Sequence, residues 1–365
     1  MRSATSASTT SRCRAPPSGC GRRSPAPVRV DRPKAPRCRT SSPVERAATR
    51  SNPAPRARKE RAHDRHPIHI LTSLRSERGP RMIPASFDYV APASVEDALA
   101  ALAEHGDDAK IIAGGQSLLP VLRMRLNAPE LVIDLGRIES LRGVRDDGDA
   151  IVIGAMTPHA VVGADPLVAE HAAVISRAVE HLADAQIRHR GTFGGALAHA
   201  DPAGDLGAPA LALGAEFVIQ GPGGARRVAA DDFFVDLFET AIGEDEILTE
   251  VRIPKHTGWG AHYEKFVRVA HQWPIVAVAA TVRMDAGSIA EARIGLTNMG
   301  STPLRARGVE EALAGQPATE DAVRAAAARA TEGTNPPSDL NGDADYRRHL
   351  ATVITRRAVL AAAGG

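Results

Sequence analysis

Hydrophobic positions form periodic blocks only after about residue 82, and their spacing then switches several times between helical and extended. Ser94 followed by Glu96 and Asp97 marks a helix start, with a hydroxyl placed to cap the first turn and acids at the positive end of the helix dipole. Val95, Ala98, Leu99, Leu102 and Ala103 recur at helical spacing, and Gly106 ends the run. Residues 110–113 read as a short strand entering Gly114-Gly115-Gln116-Ser117, 118–126 as a short helical or irregular segment, and 131–135 and 151–155 as strands. That order is a compact α/β beginning.

Further along, 172–182 is helical by composition, 215–219 and 246–253 read as strands, and 254–260 is rich in breakers. The runs 263–269, 275–284 and 289–299 are β-prone with turn residues between them, which predicts a small three-stranded antiparallel sheet. Helices over 320–331 and 346–363 follow. The pattern as a whole predicts an α+β protein.

Charge separates the chain into two parts. The net charge of the 365 residues is +2, but residues 1–81 hold 20 Lys and Arg against 5 Asp and Glu, and the remainder holds 25 against 38. Residues 1–81 also have eleven prolines and no Phe, Tyr or Trp, so they lack the apolar area needed to offset the entropy of ordering. They are expected to be a disordered basic tail, with translation starting at Met82. Its other readings are an organelle transit peptide, without the sustained amphipathic helix that would support one, and a non-specific nucleic-acid arm. The acidic body argues against nucleic acid as a main partner. No apolar run approaches the roughly 18–20 residues that span a bilayer.

All three cysteines, Cys13, Cys20 and Cys38, lie in the tail. The body therefore has no disulfide framework, no thiolate metal or cluster site, no cysteine nucleophile and no cysteine-linked flavin. His181, His189 and His199 show no metal-ligand spacing, so no metal site is expected. Neither H-E-x-x-H nor G-x-S-x-G occurs, and G-x-G-x-x-G and the P-loop pattern are also missing, which leaves no hydrolytic, nicotinamide or NTPase signature.

Two glycine-rich turns remain, Ala113-Gly114-Gly115-Gln116-Ser117 and Gly191-Thr192-Phe193-Gly194-Gly195. Consecutive amides in such turns make anion nests, with phosphate the natural guest, and Ser117, Thr192 and Gln116 could add side-chain donors. Paired glycines also serve simply to make tight turns.

The order and separation of Ala113-Gly114-Gly115-Gln116-Ser117-Leu118-Leu119-Pro120, then Arg190-Gly191-Thr192-Phe193-Gly194-Gly195 with Ala198-His199-Ala200-Asp201-Pro202-Ala203-Gly204-Asp205, resemble the two flavin-binding motifs of molybdenum-hydroxylase FAD subunits, the carbon monoxide dehydrogenase and xanthine dehydrogenase group. Phe87-Asp88-Tyr89, Glu250-Val251-Arg252-Ile253-Pro254 and Tyr263-Glu264-Lys265-Phe266 followed by Gln272-Trp273-Pro274 extend the resemblance over residues 82–363. Gln116 stands where many relatives carry histidine, and Trp273-Pro274 replaces a commoner aromatic-alanine pair.

The resemblance implies a PCMH-type FAD-binding domain of two α/β subdomains over 82–257 and a CO dehydrogenase flavoprotein-like C-terminal domain over 258–363. Non-covalent FAD would be held by Ala113, Gly114, Gly115, Gln116 and Ser117 in the first turn and by Thr192, Phe193, Gly194 and Gly195 in the second. Lys110 and Ile187 would flank them. Asp205, and Asp201 less directly, would accept hydrogen bonds from the adenosine or ribityl part, Lys265 would lie near the flavin, and Trp273 would stack on it. Catalytic residues are not expected, because the redox chemistry belongs to cofactors. The implied partners are a large molybdenum-cofactor subunit and a small subunit with [2Fe–2S] clusters in a cytoplasmic heterotrimer, with FAD passing electrons to an external acceptor. Two alternatives are a stand-alone flavin oxidase acting on its own small substrate, and a non-enzymatic assembly or nucleic-acid-binding protein.

Overall fold

A computed structural model describes residues 83–364. The expectations of disorder in the basic tail and of a start at Met82 lie outside the described residues.

The chain begins as a parallel three-stranded sheet in which Leu131–Asp134 lies between Asp88–Val90 and Ala109–Ile112. The connecting helix Val95–His105 is capped as its sequence requires, Ser94 accepting from the Asp97 amide at 3.1 Å. Its buried Ala98 and Leu102 join Leu131, Ile133 and Leu135 in a small core, so amphipathic spacing fixes which face docks.

A five-stranded antiparallel sheet follows, ordered Val144–Asp147, Ala150–Gly154, Ile247–Pro254, Glu216–Gly221, Gly224–Ala229. Between its second strand in sequence and Glu216–Gly221 the chain runs through a series of short helices, including Ala173–His181, Ala185–Arg190, Phe193–His199 and Gly207–Ala212. Their apolar faces pack with Ile151, Ile153, Phe217 and Val251 into one large core. The sheet's outer strands were not visible in the sequence pattern. Val144–Asp147 and Gly224–Ala229 are largely exposed and charged, as edge strands are, so neither shows hydrophobic alternation.

The C-terminal sheet has four strands rather than the three expected: Gly260–Phe266, Val276–Asp285, Ser288–Thr297 and the two-residue Leu304–Arg305. The fourth is too short to carry a periodic signal. Residues 276–282 of the strand Val276–Asp285 are buried on both faces, which is why their sequence is a nearly continuous apolar run. Ala277 and Ala279 face the large core, while Val276, Val278, Ala280 and Val282 face a second core with Ala351, Ile354 and Ala358 of the helix Ala344–Gly364. Among the described residues no helix is long and apolar enough to cross a membrane.

Candidate functional site

The two glycine-bearing segments, nearly eighty residues apart in sequence, touch. A Cβ on Gly114 would lie 2.5 Å from the Arg190 carbonyl oxygen and 2.6 Å from the Gly191 Cα, and one on Gly195 would lie 3.1 Å from the Ala113 Cβ. Side chains at Gly114 would push the segments apart, so glycine is needed there for close approach. Gly115 has the other requirement, a left-handed φ of 73°.

The second segment is not a nest. Thr192 caps the helix Phe193–His199, its Oγ1 accepting from the Gly195 amide at 3.3 Å. The Phe193 amide donates to the Thr157 carbonyl and the Gly194 amide to the Ala155 carbonyl, both at 2.9 Å. These three N–H groups therefore already have acceptors inside the protein. The Phe193 side chain is fully buried in the large core and holds the helix down. The first segment differs, since no acceptor among the described residues takes the N–H of Gly115, Gln116 or Ser117. The Gln116 side chain folds back, donating to the Gly114 carbonyl at 3.2 Å.

Where the segments meet they line a cavity of about 820 Å³, within the size range of small-molecule and cofactor sites. Every sequence-derived candidate except Phe193 lines it: Lys110, Ala113 to Ser117, Ile187, Thr192, Gly194, Gly195, Asp201, Asp205, Lys265 and Trp273. Lys110 has no carboxylate partner among the described residues, which leaves its ammonium available to an anion in the cavity. Asp201 turns its Oδ1 to the Ala203 amide at 2.9 Å. Trp273 is half-exposed at the cavity wall rather than packed in a core.

Asp205 and Lys265 form a buried ion pair, Nζ to Oδ2 at 2.8 Å, with both side chains at most 5% exposed. The Tyr263 hydroxyl donates to Oδ1 at 2.7 Å, and Lys265 also donates to the His181 carbonyl at 3.1 Å. Burial pushes the Asp205 carboxyl up, against the lowering effect of Lys265 and Tyr263. The Tyr263 phenol is raised well above its ordinary value, first by burial and then by Asp205. Thus Asp205 already accepts from two protein donors, and the network joins the C-terminal sheet to the loop that follows the helix Phe193–His199.

Two further cavity residues carried no sequence signal. His159 is buried, its amide donates to the Gly191 carbonyl at 3.0 Å, and burial pushes its imidazole down to about 4. Its Nδ1 has no hydrogen-bond partner among the described residues. Phe238 lines the cavity from a short hairpin. Both meet the motif segments only through tertiary packing, so nothing local marks them.

The residues fit a flavin dinucleotide: a cavity of about 820 Å³, a bend with uncommitted amides, a lysine without a carboxylate partner among the described residues and a close backbone junction suit a diphosphate with rings on either side. A family described as the FAD binding domain in molybdopterin dehydrogenase matches residues 85–256, and one described as the CO dehydrogenase flavoprotein C-terminal domain matches residues 261–362. The chain is 42% identical over 284 residues to the carbon monoxide dehydrogenase medium chain of Hydrogenophaga pseudoflava, covering 77% of this chain and 98% of that one. It is 44% identical over 280 residues to the medium chain of the same name from Afipia carboxidovorans, covering 76% and 97%. The structure of quinoline 2-oxidoreductase from Pseudomonas putida 86 superposes with a TM-score of 0.74 at 35% identity, covering 78% of this chain and 99% of that one.

Proposed function

We propose that this chain, which belongs to the family of FAD-binding medium subunits of molybdenum hydroxylases, holds one FAD in the cavity between its two glycine segments and serves as the electron outlet of a heteromeric enzyme. When bound, FAD supplies the exchange of electrons between the [2Fe–2S] clusters of a small partner and an external acceptor. The amides of Gly115, Gln116 and Ser117, the hydroxyls of Ser117 and Thr192 and the Lys110 ammonium hold the diphosphate. Lys265, fixed by Asp205, presents a positive charge beside the ring system, and Trp273 covers it.

The observation that carries this reading is the contact between Gly114 and Gly191 at the wall of one cavity, which makes two remote motifs a single site. The relatives are named as medium chains, which supports a large molybdenum subunit and a small iron–sulfur subunit as partners. The same names weigh against a self-sufficient oxidase. The substrate of the whole enzyme belongs to the large partner, as proteins named for carbon monoxide and for quinoline each have a chain similar to this one.

The test is to purify the full chain, titrate it with FAD and follow flavin fluorescence and absorbance. The expected result is saturable binding of one FAD per chain with no oxidation of an organic or gaseous substrate until the partners are added. A chain that stays colourless with excess FAD would remove the proposal.

A further inference from the structure

Phe238 sits at the tip of the two-stranded hairpin formed by Phe234–Asp236 and Glu239–Thr240. Its backbone is left-handed, with φ at 56°, a conformation that a bulky residue adopts only when its surroundings impose it. The residue is 53% exposed, unlike Phe193, Phe217 and Phe233, which are fully buried. The left-handed backbone costs folding free energy, and the half-exposed side chain recovers only part of what full burial of a phenylalanine would return. Such strain gathers at ligand clamps, where it fixes a side chain in advance of binding.

The ring is not directed at random. It lies 5.2 Å from the His199 imidazole, tilted by 41°, and both residues line the cavity that the glycine segments build. His199 stands at the end of the helix that Thr192 caps, so its position is tied to the second segment. Burial lowers the basicity of His199, which favours a neutral imidazole in this tilted ring contact.

We propose that Phe238 and His199 form an aromatic wall of the cofactor site, against which one planar ring of the bound dinucleotide lies. This rests on the FAD reading above and adds to it a stacking contact from outside both glycine motifs. The occupant is a flat heteroaromatic ring, either the isoalloxazine or the adenine.

The experiment compares the full-length chain with Phe238→Leu and Phe238→Gly, measuring affinity for FAD and for FMN together with the Tm of the FAD-free protein. Loss of an aromatic stack is expected to weaken FAD binding about fivefold to tenfold in both variants. In Phe238→Gly the Tm should stay level or rise by about 1–3 °C, because glycine accepts the left-handed backbone. If the ring is adenine, FMN affinity stays at the wild-type value, and if it is isoalloxazine, FMN weakens in parallel. Either pattern supports the wall. FAD affinity unchanged in both variants, or a loss that merely follows a fall in Tm, overturns it. A wild-type chain that takes up no flavin at all would instead overturn the proposed function, and this contact with it.

Discussion

Gly191 lies directly against Gly114, its Cα 2.6 Å from where a Gly114 Cβ would stand. One side of the cavity is therefore a backbone-to-backbone junction, which only the smallest residue permits. Gly114→Val should separate the segments and cost about 1–3 kcal/mol by overpacking. The expected outcome is loss of FAD retention after gel filtration, with helical content by circular dichroism close to that of the wild type. A valine variant that keeps its flavin would show that the junction has no part in binding.

Gly194 behaves differently, because a Cβ there would collide with Ala155 on the neighbouring strand end. Gly194→Val is expected to lose stability and flavin together, whereas Gly115→Ala strains the bend, whose φ of 73° disfavours any side chain, and presses otherwise only on the flexible side chains of Leu119 and Ile112, 3.1 and 3.3 Å away. Urea unfolding of the FAD-free proteins separates the two, with the larger fall in midpoint for Gly194→Val.

The Lys265–Asp205 pair is buried, so removing one partner strands the other. Lys265→Met should destabilise the protein by roughly 3–5 kcal/mol, and Lys265→Met with Asp205→Leu by less than the sum of the singles. The pH dependence has a definite sign. The Asp205 carboxyl is already raised by burial, and without Lys265 it rises further, so the stability linked to its neutral form is present at low pH and lost as pH rises. The single lysine variant should thus lose more stability at pH 8 than at pH 5. Equal losses at both would contradict the buried-carboxylate account.

His159 titrates with the opposite consequence. Its folded value is depressed to about 4 from the ordinary 6.5 by burial, so the unfolded chain binds the proton more tightly across that interval. Its contribution is intact above pH 6.5 and is lost as pH falls toward 4, a change of roughly 3 kcal/mol. His159→Leu should flatten the wild-type slope of urea midpoint against pH between 6.5 and 4. An unchanged slope would place the acid sensitivity elsewhere.

The legible parts of the fold were those with a local physical signal. Ser94 and the stripe from Val95 to Ala103 announced an eleven-residue helix because cap and core face both lie within it. The charged strands Val144–Asp147 and Gly224–Ala229 left no pattern because their residues face water. In the site, the glycine segments and Lys265 were legible through their motifs, but the committed amides of Gly194 and Gly195 were not. Those bonds depend on Ala155 and on the Thr192 cap, which sequence spacing does not reveal. Phe193 stands within the motif, but its side chain packs into the core, which the motif alone does not reveal. His159 and Phe238 reach the cavity from segments with no motif at all.

Amide hydrogen exchange, read residue by residue with and without FAD, reaches the joint grip of the two segments most directly. One equivalent of FAD should slow exchange at Gly115, Gln116, Ser117 and Thr192 at the same concentration, because one ligand closes over both segments. Slowing confined to one segment, or slowing at the two with different midpoints, would contradict a shared diphosphate site.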